Sequence, residues 1–186
     1  MALHDLPARP GPGAVHVVVE SPRGATVKLK YEPALGVMVV ARPLPVGLVY
    51  PYDWGFVPGT RAVDGDPLDA MVLWETPTYP GVVIEGRVIG VVQLEQNGKG
   101  PDGRPLGRER NDRVIVAPLK ARRLEQLKSV FELPARLRKE LEHFFIAVVF
   151  SQNKDPRIIG WGGPSEAEAT IDAAMRAVKP ARKRGK

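Results

Sequence analysis

Apolar and polar residues alternate along the first two thirds of the chain with the two-residue period that is typical of β-strands. In residues 25–32, Val27, Leu29 and Tyr31 take one face, and the other face is charged. Five other segments are rich in valine, isoleucine or tyrosine and are bounded by glycine, proline or charge. The predicted strands are residues 15–20, 25–32, 36–42, 70–75, 82–94 and 113–117. The charged face of segment 25–32 faces either solvent or a polar site.

The last third of the chain has the three- and four-residue apolar spacing of amphipathic helices. A stripe that includes Leu141 and Phe144 predicts one helix. Ser165 and Glu168 have the spacing of a capping box and predict another, which ends before Pro180. The predicted helices are residues 134–148, 165–179 and a short one over 122–129. Because strands precede helices without alternating with them, we expect an α+β fold, mainly β, with helices packed on one side of an antiparallel sheet or small barrel.

Length and composition indicate one domain with two distinct ends. The chain has 186 residues, of which 44% are hydrophobic, enough to bury a core. Residues 1–13 are rich in proline and glycine and predict a flexible N-terminal arm. Residues 14–178 are expected to form a single domain, and residues 179–186 a basic C-terminal tail.

The net charge of +6 comes from the end of the chain, since residues 1–172 contain 21 basic and 21 acidic residues. A basic tail attracts polyanions weakly and in a salt-sensitive way, but it does not define a specific nucleic-acid partner. The longest apolar run, residues 144–150, is far shorter than the roughly 20 residues of a membrane span. Without a recognisable secretory signal, we expect a cytoplasmic protein with no membrane association.

The sequence lacks the residues that several kinds of catalytic and binding site require. The chain has no cysteine, which excludes disulfides, thiolate metal sites and cysteine nucleophiles. A Walker A loop, a G-x-S-x-G elbow and a G-x-G-x-x-G turn are also absent from the sequence.

Three carboxylates fall within six residues, at Asp64, Asp66 and Asp69. A solvated turn explains part of this pattern, because turns favour aspartate, glycine and proline. However, like charges on one ordered loop repel each other unless a cation or basic side chains neutralise them. Oxygen donors without cysteine select magnesium, calcium or manganese over zinc or copper. An EF-hand loop that began at Asp64 would need glycine at its sixth position, where this chain has Asp69. An EF-hand is therefore rejected.

The same region resembles the soluble family I inorganic pyrophosphatases. The resemblance rests on residues 49–58, VYPYDWGFVP, and residues 64–69, DGDPLD, and extends from residue 17 to about residue 179. Shorter matches lie at Lys30-Tyr31-Glu32, Arg42, His143-Phe144-Phe145 and Gly160-Trp161.

That resemblance implies a small five-stranded OB-like barrel flanked by C-terminal helices, usually in a homo-oligomer. The implied activity is hydrolysis of inorganic pyrophosphate to two orthophosphates with Mg²⁺, or with Mn²⁺ as a substitute. Asp64 and Asp69 match metal ligands, and Asp66 matches the carboxylate that helps to deprotonate the attacking water. The remaining matches are the phosphate-binding residues Lys30, Arg42 and Lys154 and the cavity carboxylates Glu20 and Glu32.

Several positions depart from the family pattern. An aspartate-x-lysine motif is expected where this chain has Asn111-Asp112-Arg113, so either Asn111 or, with a bulge, Asp112 is the metal candidate, and Arg113 takes the lysine's place. Trp54 replaces a tyrosine, and Val148-Val149 replace a tyrosine–lysine pair. For a further aspartate the candidates are Glu95, Gln96 and Asp102, and the bases that could compensate are Lys99, Arg104, Arg108 and Arg110.

These substitutions leave three hypotheses. The first is a magnesium-dependent inorganic diphosphatase, with activity that the substitutions reduce. The second is a weakened relative that binds phosphate compounds or acts as a scaffold. The third is an OB-type nucleic-acid-binding module that uses the basic tail.

Overall fold

The structure, a computed structural model, describes residues 2–99, 105–152 and 154–178, and this part contains nine strands and two α-helices. Asp102, Arg104, the side chain of Lys99 and the basic tail lie outside the described residues. The strands are β1 (Val15–Ser21), β2 (Val27–Glu32), β3 (Val37–Pro43), β4 (Asp53–Val57), β5 (Leu68–Val72), β6 (Val83–Lys99), β7 (Pro105–Arg110), β8 (Arg113–Pro118) and β9 (Arg157–Gly162); the helices are α1 (Ala135–Ala147) and α2 (Pro164–Arg176).

Five of the strands pair in a ring. The order around the ring is β1, β4, β5, β8 and β6, and β6 pairs again with β1. Strands β5 and β8 are parallel, and the other four pairs are antiparallel. β7 and β9 extend the sheet from β6, and β2 and β3 form a separate hairpin. The expected mainly β fold with a five-stranded, barrel-like sheet and C-terminal helices is therefore confirmed.

The ring strands bury both faces, because their alternate residues contact different helices. In β5, Ala70 and Val72 join the cluster that α2 covers with Ile171, whereas Met71 joins the cluster that α1 covers with Phe145. A strand buried on both faces is a continuous apolar run, which explains why residues 70–75 and 113–117 were recognisable in the sequence.

Strands β4, β7 and β9 have no counterpart among the strands predicted from alternation. β4 depends on Gly55, where a Cβ atom would stand 1.8 Å from the carbonyl oxygen of Val18 on β1. A glycine inside a strand lowers the sequence signal, yet here the close approach of two backbones requires it. The helix predicted over residues 122–129 is only a 3₁₀ turn, Arg122–Leu124.

The second predicted helix forms without its capping box. α2 begins at Pro164 and its N-cap is Gly163, which has no side chain to accept a hydrogen bond. Ser165 therefore lies inside the helix, where proline at the first position already suits the helical backbone.

The N-terminal segment that we expected to be a flexible arm packs on the domain in the structure. Ala8 is buried in the cluster that α2 covers, and Arg9 forms ion pairs with Glu168 and Asp172 of α2. The ring of His4 lies 4.8 Å from that of Phe56. Proline and glycine do not prevent such contacts, since they fix turns between packed side chains. The boundaries of the domain stay a prediction.

None of the helices in the described residues is long and apolar enough to cross a membrane.

Candidate functional site

Three aspartates and four basic side chains line one small cavity of about 60 Å³. Asp64, Asp66 and Asp69 supply its acids. Its bases are Lys28, Arg42, Arg113 and Lys154, and the rest of the lining includes Tyr50, Trp54, Asn111, Phe145, Val148, Val149 and Gln152. A larger cavity of about 450 Å³ lies between α2 and residues 61–63, but its lining is mostly apolar and contains one carboxylate. The chemistry therefore points to the smaller cavity.

The turn between β4 and β5 carries Asp64 and Asp66, and Asp69 follows on β5. The amide of Asp66 donates to Oδ1 of Asp64 at 3.2 Å, and Gly65 between them has φ +88°, a left-handed conformation that favours glycine. The hydroxyl of Thr60 accepts from the amide of Leu68 at 3.0 Å and donates to the carbonyl of Val57 at 2.6 Å. These bonds order the loop, so its charges face each other at fixed positions.

Strand register brings Asp69 against Arg113. Ala70 of β5 pairs with Val114 of the parallel strand β8, so the residues before them are neighbours. Nη1 of Arg113 lies 2.6 Å from Oδ2 of Asp69, with the arginine side chain only 8% exposed. The guanidinium also stands 5.3 Å from the ring centroid of Trp54, a cation–π distance. A buried arginine of this kind needs such a partner to balance its charge.

Strand alternation separates Asn111 from Asp112. Asn111 faces the cavity with Arg113, from which its Oδ1 accepts a hydrogen bond, because residues two apart share a face. The carboxylate of Asp112 points the other way, where it accepts from the amide of Leu94 at 3.1 Å and pairs with Arg110 at 2.9 Å. Of the two metal candidates, the structure places only Asn111 at the cavity.

The remaining predicted basic residues surround the acids in different ways. Nζ of Lys30 lies 3.1 Å from Oδ1 of Asp66 at the exposed side of the loop. Partial burial opposes the shift, but the hydrogen bond and charge of Asp66 raise the pKa of Lys30. Nη2 of Arg42 donates to the carbonyl of Val148 at 2.7 Å, near the C-terminal end of α1. Lys154 lines the cavity directly, and burial with the nearby charges of Lys28 and Arg113 lowers its pKa.

Two of the acids near the cavity have raised pKa values. Asp64 is exposed as a residue, but loss of water around its carboxylate and the charges of Asp69 and Asp66 raise its pKa. Glu20 is only 6% exposed and accepts from the amide of Tyr31 at 2.8 Å. Burial, with a contribution from the charge of Asp69, raises the pKa of Glu20 to about 7. Burial and the negative charge of Asp69 therefore both disfavour the ionised form of these two carboxyl groups.

Some predicted residues do not reach the cavity lining. Glu32 lies on β2 away from it and accepts from the amide of Ala34 at 3.2 Å. Arg108 and Arg110 do not supply replacement phosphate contacts, since they bind Asp155 and Asp112 respectively. The candidate Glu95 pairs with Arg108, and Gln96 is buried away from the lining.

Sequence reasoning missed three lining residues. Lys28 lies on the charged face of β2, so the alternation that singled out Lys30 also marked it. Tyr50 falls inside the motif of residues 49–58, and burial raises its pKa to about 12. Gln152 follows α1 and had no signal in the sequence; with its amide oxygen turned to Arg42, it accepts from Nη2 at 2.6 Å.

The oxygen-only donor set fits a hard divalent cation, but the acids are engaged within the protein. Within residues 2–99, 105–152 and 154–178, no three carboxylate or imidazole groups converge closely enough to hold one ion. Arg113 neutralises Asp69 and Lys30 neutralises Asp66, whereas Asp64 keeps a raised pKa. A metal ion at this site would therefore compete with those two pairs.

Comparison with known proteins gives one consistent result. The model of the family described as inorganic pyrophosphatase matches residues 17–179. The inorganic pyrophosphatase of Thermus thermophilus is 36% identical, with 90% of this chain and 92% of that protein covered, and that of Nostoc is 32% identical, with 96% and 100% covered. The crystal structure of inorganic pyrophosphatase from Thermus thermophilus superposes with a TM-score of 0.82 at 33% identity, covering 95% of this chain and 98% of that chain. Neither the scaffold hypothesis nor the nucleic-acid hypothesis is favoured by these relatives.

Proposed function

Because the chain belongs to the inorganic pyrophosphatase family, we propose that it hydrolyses inorganic pyrophosphate to two orthophosphates. One observation carries this proposal: Asp64 and Asp66 of the loop before β5, Asp69 on β5 itself and four basic side chains line the same cavity. Phosphoryl transfer depends mainly on positioning and on neutralising charge, and a cavity with both signs of charge suits a condensed phosphate bound together with cations.

We infer that the metal is Mg²⁺, with Mn²⁺ as a substitute, held by Asp64 and Asp69 and by the amide oxygen of Asn111. All three donors are hard oxygens, which these cations prefer. When bound, the metal would neutralise the substrate and activate a water molecule. Burial and the charges of Asp69 and Asp66 raise the pKa of Asp64, and a nearby cation would offset both causes, which supports the assignment.

The acids and bases of the cavity have different proposed roles. Asp66 is the proposed acceptor of the proton from the attacking water. Its Oδ1 forms an ion pair with Nζ of Lys30 at 3.1 Å. Arg42, Arg113 and Lys154 are the proposed phosphate-binding groups, because their positive charge attracts the phosphate oxygens of the substrate. Lys28 and Lys30 extend this positive surface along the charged face of β2.

The substitutions at the site modify this scheme. Asn111 offers a neutral oxygen where the family pattern has a carboxylate, so we expect weaker metal binding at this position. Arg113 retains the positive charge of the lysine that it replaces. Trp54 contributes an aromatic face beneath that arginine instead of a phenol. Val148 and Val149 line the cavity, but their apolar side chains have no group that can bind phosphate.

Two properties accompany the proposal. We propose a homo-oligomer, which the family resemblance implies, and a cytoplasmic location. Weak, salt-sensitive attraction of polyanions to the basic tail is independent of the catalytic proposal.

The test is phosphate release from magnesium pyrophosphate by the purified protein. We expect turnover with Mg²⁺ and a loss of at least about 100-fold in kcat for Asp69→Asn, which removes a charge at the cavity. Asp5→Asn, at an exposed aspartate outside the cavity, is the matched control and should retain activity. No release at pH 7–9 with magnesium, manganese or cobalt from a protein with native circular dichroism would overturn the proposal.

A further inference from the structure

The hairpin of β6 and β7 touches the segment that carries Lys154. The amide of Asn97 on β6 donates to the carbonyl of Lys154 at 2.6 Å. Nη2 of Arg108 on β7 donates to the carbonyl of Asp155 at 2.8 Å, and its Nη1 donates to Oδ2 of Asp155 at the same distance. Three hydrogen bonds thus join this hairpin to two consecutive residues, one of which lines the cavity.

Asp155 has an unusual backbone conformation, which these contacts help to hold. Its φ is +40°, and it is the only non-glycine residue with positive φ in the described part of the chain. Proline follows it, which restricts its backbone further. A side chain with a Cβ rarely adopts this conformation unless surrounding bonds hold it there. Arg108 supplies two of those bonds, and Arg157 adds a third, 3.3 Å from Oδ2.

Arg108 is itself held in position. Its Nε lies 2.7 Å from Oε1 of Glu95 in an ion pair that lacks hydrogen-bond alignment, and Nη2 also donates to the carbonyl of Glu95 at 3.2 Å. The arginine side chain is 25% exposed, so these contacts are partly shielded from solvent. Its planar guanidinium has several donors in a fixed arrangement and can bond Glu95 and Asp155 at once, which a lysine ammonium cannot do.

We propose that Arg108 is a positioning residue that, through Asp155, holds Lys154 at the phosphate-binding cavity. The inference rests on the proposed function, in which Lys154 binds a phosphate oxygen. Arg108 does not touch the substrate, so its removal should loosen the Lys154 segment and weaken substrate binding without changing the chemical step. The long, charge-rich hairpin thus contributes to the site indirectly, instead of supplying phosphate contacts of its own.

The experiment measures KM and kcat for magnesium pyrophosphate in Arg108→Gln, Arg108→Lys, Lys154→Met and the double variant Arg108→Gln/Lys154→Met. We expect Arg108→Gln to raise KM about tenfold with little change in kcat, since weakening a contact that binds substrate and transition state equally raises KM alone. Arg108→Lys should restore only part of the loss. The double variant should match Lys154→Met alone, because residues that act through one another are not additive.

Arg110→Gln is the control. Arg110 lies on the same strand but pairs with Asp112, away from the cavity, so its replacement should leave KM unchanged. An unchanged KM in Arg108→Gln, or effects of Arg108→Gln and Lys154→Met that multiply in the double variant, would overturn the proposal. If Arg108→Gln does not fold, Asp155→Asn, which removes the charge that Arg108 binds, replaces it and should raise KM in the same direction.

Binding of methylenediphosphonate, whose P–C–P bridge resists hydrolysis, separates this inference from the proposed function. If the parent protein binds the analogue but releases no phosphate from pyrophosphate, hydrolysis is refuted, whereas a weakened analogue affinity in Arg108→Gln still supports positioning. Equal affinities of the parent and Arg108→Gln for the analogue refute positioning whatever the turnover.

Discussion

Replacing Glu20 with glutamine should stabilise the folded protein at neutral and alkaline pH and change little in acid. Glu20 is 6% exposed, and burial raises its pKa to about 7 from an ordinary value of 4.5. Between these two values the folded chain holds a proton that the unfolded chain has released. The free energy of unfolding therefore falls as pH rises through this window, and it stays lowered above pH 7.

The size of the effect follows from the two pKa values. Each unit of difference corresponds to about 1.4 kcal/mol, so ionisation of Glu20 lowers the free energy of unfolding by about 3 kcal/mol above pH 7. Glutamine has the shape of the protonated acid and can still accept from the amide of Tyr31, but it does not ionise. Glu20→Gln should consequently gain about 2.5 kcal/mol relative to the parent between pH 5 and pH 8.

Urea unfolding followed by circular dichroism measures this difference. The titration is run from pH 5 to pH 8 in EDTA, so that no divalent cation binds near Asp69. Subtracting the two unfolding free energies at each pH cancels every other group that titrates equally in both proteins. Glu125→Gln, at an exposed glutamate, is the matched control for the loss of one carboxylate.

A difference between Glu20→Gln and the parent that stays constant from pH 5 to pH 8 would refute the reasoning, because the carboxyl would then titrate alike in the folded and unfolded chains. A difference of the opposite sign would show that the folded protein favours the ionised carboxylate, as a basic partner or hydrogen bonds would require.

Two other substitutions test the fold and the metal site. Gly55→Ala should lower the free energy of unfolding by more than about 3 kcal/mol, because its Cβ would stand 1.8 Å from a backbone oxygen of Val18, and urea unfolding measures this. The control is Gly160→Ala, whose Cβ would meet only Oε1 of Gln93 at an ordinary 3.9 Å, and an equal loss in both variants would contradict the prediction. Asn111→Asp should tighten Mn²⁺ binding about tenfold by adding a carboxylate beside Arg113 at the cavity, as electron paramagnetic resonance titration can measure, and unchanged affinity would contradict it.

Local pattern was enough to identify much of this protein from its sequence. Alternation located β2 and placed its lysines on one face, and continuous apolar runs located β5 and β8, because both signals depend only on neighbouring residues. The acidic loop was equally visible, since Asp64, Asp66 and Asp69 lie within six residues and their repulsion requires positive charge nearby.

Tertiary structure decided what depends on pairing between distant segments. Asn111, and not Asp112, faces the cavity because parallel pairing of β5 with β8 fixes which face each residue of that segment presents. The same register sets Arg113 against Asp69. Arg108 contacts Asp155, 47 positions away, instead of the cavity. Such contacts depend on strand register and chain crossing, which no local pattern of apolar and polar residues encodes.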